Sequence, residues 1–275
     1  MKGRLDRISV VVGLVLIGLV FSLIITLPTH TIGTQALGSP VAVVLSPRWL
    51  MAGLLSALAA LGTDYVVRGH PNFDSRREHY SLTFWILPAL VTLVSALLVP
   101  LLAPNRTIWL ITLTFVGVIL TLTLLAEHAL LDPGGSGFVT AQLGLNFLAY
   151  VAALSLFTAV YAPKTRSLLS ATAVTFLGAL LALAILPVDR QNRVRAALYA
   201  AVIGLLIGEC TWALNYWGIN GLTGGALLML IFYVLTSLSQ QRLLIGRLSR
   251  TMLLEFVWVF GFGLGVLLSQ TSLRW

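Results

Sequence analysis

The chain has 275 residues, of which 58% are hydrophobic and only 9% charged, against about 25% charged in soluble domains. With a mean hydropathy of +0.97, too few polar side chains remain to coat a globule, which excludes a soluble enzyme. The 17 basic and 9 acidic side chains leave a formal net charge of +8, but the cations sit in short segments between apolar runs, where they act as topology signals beside anionic lipid and not as a nucleic-acid surface.

In chain order, Lys2, Arg4 and Arg7 precede an apolar run at 8–27. That run is longer than a signal-peptide core of about 7 to 15 residues, so a retained first helix is expected. Further apolar runs fall at 49–67, 82–103, 108–126, 139–161, 167–187, 196–217, 222–239 and 251–270. Together they predict an all-α, polytopic transmembrane helical bundle of about nine helices, forming one transmembrane domain over 1–275. Eight helices is the alternative, because 222–239 is short for a span. The connection from Pro28 to Arg48 is itself apolar between Pro40 and Pro47, and is expected to lie in the interface or to extend the second helix.

Alternating the nine spans from a cytoplasmic N-terminus puts Lys2, Arg4, Arg7, Arg68, Arg76, Arg77, Arg190, Arg193, Arg195, Arg242, Arg247 and Arg250 inside, and Arg48, Arg106, Lys164, Arg166 and Arg274 outside. This split of 12 to 5 predicts an inner-membrane protein with its N-terminus inside and its C-terminus outside. The charge signal is weakest over 104–166: the inner loop Glu127–Gly137 has no Lys or Arg, whereas the outer turn Pro163–Arg166 has two.

No motif brings a catalytic constellation. Gly134-Gly135-Ser136-Gly137 resembles the Gly-x-Ser-Gly nucleophile loop of rhomboid intramembrane proteases, but the base of that family is a histidine on a later helix, and His30, His70, His79 and His128 all precede Ser136. The stretch reads as a turn opening the fifth helix. His70, Asp74, Glu78 and His79 offer four candidate metal ligands, yet Pro71 keeps His70 off any helix that follows, and Arg76 and Arg77 can neutralise the carboxylates unaided. A solvated loop is expected, with no metal. The lone Cys210 excludes an intramolecular disulfide. Asp64, Glu127, His128 and Glu255 fall near inner helix ends and read as interfacial ion-pairing groups. One histidine, His128, does not identify a haem or pigment, so no cofactor is assigned.

The sharper signal lies inside the spans. Glu209 sits about 13 residues, roughly 20 Å, into the seventh span, where a carboxylate must be paired, protonated or hydrated. Gly204 and Gly208 give that span a small-xxx-small seam, and Trp212 shares the face of Glu209. On the fifth span Gln142, Asn146 and Tyr150 recur every four residues on one face, and Tyr150 is expected nearly level with Glu209. These five residues form either a proton, ion or ligand site or, the preferred reading, a buried polar clamp between helices. Gly261, Gly263 and Gly265 are expected to mark further close helix packing.

The segment GECTWALNYWGINGLTGGALLMLIFYVLTSL, Gly208 to Leu238, resembles a group of uncharacterised bacterial membrane proteins over roughly residues 195–260. The resemblance implies a bacterial inner membrane and no known activity. Short loops, many packing glycines and no paired catalytic groups predict a scaffold or accessory subunit of a larger membrane complex, respiratory or photosynthetic, whose partners are the lipid bilayer and other membrane subunits. The alternative is a small-solute or ion transporter using an intramembrane glutamate.

Overall fold

Apolar runs of this length form helices because only a helix satisfies every backbone N–H and C=O within its own segment when water is absent. The structure, a computed structural model, describes residues 2–24, 30–36, 39–45, 47–70, 81–102, 105–132, 134–163, 167–188 and 192–246, together with 254, 257–258, 260–261 and 263–265. Its helices are α1 (Lys2–Ile24), α2 (Pro47–Val67), α3 (Ser81–Leu102), α4 (Arg106–Ala129), α5 (Phe138–Tyr161), α6 (Ser167–Ile185), α7 (Arg193–Asn215) and α8 (Gly221–Ile245). All eight are long and apolar enough to cross a membrane. The expected helical bundle is what the chain forms. Of the ninth candidate, 251–270, the described residues are helical and the remainder lies outside them.

Two elements differ from the expectation. The α1–α2 connection does not extend α2; it forms an antiparallel hairpin of β1 (His30–Ala36) and β2 (Ser39–Leu45), pairing Ile32 with Val43 and Thr34 with Val41. Its β-branched residues, stiff at χ1, favour extended backbone over helix. The eighth helix is not short: α8 runs for 25 residues. The stretch from Ser239 to Arg242 near its end is polar and escapes a hydropathy reading, but Gln240 Nε2 donates to the Ile185 carbonyl of α6 at 3.0 Å and holds it. Gly246, at φ 73°, then ends the helix in the left-handed conformation that glycine adopts without strain.

The chain divides into two compact units, Met1–Gly144 and Leu145–Trp275. In the first, α1 to α4 run up and down as antiparallel neighbours. Ile8, Val15 and Leu19 of α1, Ala52 and Ala59 of α2, Leu90 and Val99 of α3 and Val116, Leu120 and Leu124 of α4 are buried between them. Asn105 caps α4, its side chain accepting from the Ile108 N–H at 3.1 Å. At the far end of α2 the Arg48 guanidinium donates to the Leu97 carbonyl of α3.

In the second unit α6 and α7 pack most closely, as the Gly204–Gly208 seam predicts. A Cβ on Gly204 would lie 2.8 Å from the Cβ of Ala179, and Gly208 faces Thr175 and Ala171, so only glycine allows this approach. Asn215 of α7 donates to Ser170 of α6 at 2.7 Å, and the buried Tyr161 hydroxyl of α5 donates to the Leu214 carbonyl of α7 at 2.7 Å. The glycines of the ninth span behave differently from the expectation. Gly263 meets Leu230, but a Cβ on Gly261 or Gly265 would meet nothing within 4 Å among the described residues.

Candidate functional site

Tyr161 and Leu214 bring the matching ends of α5 and α7 together, and the heights of the sequence-derived polar residues follow from that contact. Glu209 is five residues before Leu214, whereas Tyr150 is eleven before Tyr161. At 1.5 Å per residue they differ in level by about 9 Å. The near-level placement expected from the sequence fails because it counted depth from the inner ends of the spans, and α7 begins at Arg193, three residues earlier than its apolar run.

The two residues also differ in surroundings. The Tyr150 hydroxyl is 3.1 Å from Thr236 Oγ1 of α8, and its ring stands edge-on to Phe232 and Tyr233. Its partner is therefore on α8. Asn146 is partly buried and Gln142 exposed on the same helix. Glu209 lies on the exposed face of α7, in a stripe with Leu198, Val202, Leu205, Trp212 and Tyr216. Trp212, 56% exposed, shares that face as expected. No hydrogen bond or ion pair joins Glu209 to another described residue, so the five residues do not form one buried site. The seam explains why: Gly208 faces α6, and Glu209, one residue on, is turned 100° away.

A second polar group gathers at one end of the first unit, where the N-terminal turns of α1 and α3 meet the C-terminal turns of α2 and α4. Arg7 of α1 places its guanidinium 4.9 Å from the centroid of the Tyr65 ring and donates to the Tyr65 carbonyl at 3.4 Å. Asp64 of α2 accepts from Arg68 Nε at 2.6 Å and from Trp85 Nε1 of α3 at 3.2 Å. The His70 and His128 rings meet edge to face with centroids 4.3 Å apart. Glu127 of α4 is 5% exposed, and no hydrogen bond or ion pair joins it to another described residue.

The sequence reading placed Asp64, Glu127 and His128 at helix ends as interfacial pairs, which describes Asp64 with Arg68. It missed that Glu127 faces inward. The signal was present: Glu127 continues the seam of Leu113, Val116, Leu120 and Leu124 at three- and four-residue steps. Of the candidate metal ligands in the α2–α3 loop, Asp74, Glu78 and His79 lie outside the described residues. Among the described residues, no three His, Cys, Asp or Glu side chains are grouped to hold a metal. Ser136 is exposed in a turn, and the helix bond at that point is taken by the Gly137 carbonyl, which accepts from Ala141 N at 2.9 Å.

Residues 27–269 match the family described as protein of unknown function (DUF5656). The chain belongs to that family. The match extends far beyond the C-terminal third that carried the resemblance in the sequence, and takes in both Glu127 and Glu209, while leaving out α1 and Arg7. No curated protein and no solved structure matches the chain.

Proposed function

We propose that this member of the family is an integral scaffold or accessory subunit of a larger membrane protein complex, seated in a bacterial inner membrane with its N-terminus in the cytoplasm. A respiratory or photosynthetic assembly is the class of complex it fits. The reading rests above all on Glu209, an acidic side chain on an otherwise apolar exposed stripe of α7. Facing lipid inside the bilayer, less than two turns from the end of α7, an unpaired acidic group costs up to about 3 kcal/mol. A helix of another subunit that brings Arg or Lys to the stripe removes that cost and covers Leu205 and Trp212 at the same time. The aromatic side chains Trp212, Tyr216 and Trp217 at that end of α7 suit an interfacial belt around the contact.

Purification of the full-length protein from its native membrane in mild detergent tests the reading. A stoichiometric complex with different membrane chains is expected; a homogeneous homomer that catalyses uptake in liposomes contradicts it. The second reading, a small-solute or ion transporter using an intramembrane glutamate, draws its support from the buried Glu127 and not from Glu209.

A further inference from the structure

Near the end of α4 an outward-facing glutamate would extend into water along the membrane surface, because Glu127 is only two residues from Ala129. Its 5% exposure shows that it turns inward instead. Among the described residues at that end, Arg7 contacts Tyr65, Arg68 pairs with Asp64 and His70 packs against His128. From α3, Trp85 donates to Asp64. No described cation is paired with Glu127, and a carboxylate enters such an interior only together with a positive charge.

The oxygen chemistry next to it suits a small cation. Thr123, one turn earlier on the same buried face, donates its proton to the Ile119 carbonyl at 2.7 Å. Its hydroxyl has spent its donor and retains only acceptor lone pairs. It can receive the hydrogen of a carboxylic acid or coordinate a hard cation, but cannot solvate a bare carboxylate.

We propose that Glu127 is a binding site for a small monovalent cation, a proton or a sodium ion, inside the α1–α4 unit, filled from the aqueous side at the end that carries Arg7, Arg68 and His70. The site is independent of the subunit reading, since Glu127 and Glu209 belong to different units.

Infrared difference spectroscopy of the full-length protein in liposomes tests this. Samples are compared across a pH series in choline chloride, and at fixed pH in sodium chloride against choline chloride. A proton site gives a carboxylic-acid C=O band that titrates with pH, ignores sodium and disappears in Glu127→Gln. A sodium site gives a carboxylate band that changes on exchanging choline for sodium, accompanied by binding of radioactive sodium that Glu127→Gln abolishes. Glu209→Gln leaves either signal in place. Should Glu127→Gln fail to fold, Glu127→Asp keeps the group and shifts the band. The proposal is overturned if the wild-type protein shows neither response, or if Glu127→Gln and Glu127→Asp both leave the response unaltered.

Discussion

The indole N–H of Trp85 and the guanidinium of Arg68 hold the two oxygens of the Asp64 carboxylate, at 3.2 and 2.6 Å. The indole contact ties α2 to α3 where both helices reach the end of the first unit.

The two contacts on Asp64 are unequal. Arg68 is half exposed, and an exposed ion pair contributes about 0 to 1 kcal/mol, whereas the indole joins two helices at a partly buried position. Trp85→Phe is therefore expected to destabilise the protein in detergent by about 1 to 3 kcal/mol, and Arg68→Gln by less. Thermal unfolding of the two variants checks the order; an equal or reversed order contradicts it.

Glycines separate by what lies opposite. Gly204→Leu drives a side chain into Ala179 of α6 and is expected to cost about 2 kcal/mol or more. Gly144→Ala, on an exposed face of α5 with nothing described within 4 Å, is expected to stabilise by up to about 1 kcal/mol through helix propensity. Melting temperatures of the two variants measure both effects.

Those glycines also show what a sequence makes legible. Eight apolar runs and the Gly204–Gly208 seam were readable because length and residue size directly limit what a helix can do. Glu209 was readable as an intramembrane acid, but its direction required the seam to be used as an azimuth: the packed face is that of Gly208, and the next residue points elsewhere. Tyr150 was placed on a polar stripe, yet its partner Thr236 is 86 residues away, and no local periodicity encodes such a pairing. Glu127 was hidden by its nearness to a helix end, where an acid normally faces water. The hairpin was hidden because hydropathy does not distinguish Val in a strand from Val in a helix.

The proposed N-in orientation predicts opposite accessibility for two turns. In a Cys210→Ala background, Ser136→Cys is expected to react with a membrane-impermeant maleimide only from the cytoplasmic side, and Gly218→Cys only from outside. Both positions are exposed. Labelling of Ser136→Cys from outside inverts the assignment.

The hydroxyl of Tyr150 is expected to contribute packing and not chemistry. Tyr150→Phe keeps the ring against Phe232 and Tyr233 and removes one hydrogen bond to Thr236, so a loss of about 1 kcal/mol in stability is expected, with assembly unaffected. Thermal unfolding and native gel electrophoresis check the two parts.

Photocrosslinking in the native membrane tests the subunit reading most directly. A benzoylphenylalanine replaces Trp212, one turn from Glu209 on the exposed stripe of α7, and a control replaces Phe115 on the exposed face of α4. The account predicts a covalent adduct from the Trp212 position to a different membrane chain, reduced at least tenfold by Glu209→Leu, a loss of about 1.4 kcal/mol or more in association, and no such adduct from the Phe115 position. Adducts from the Trp212 position to lipid alone, or to a second copy of this chain alone, contradict it.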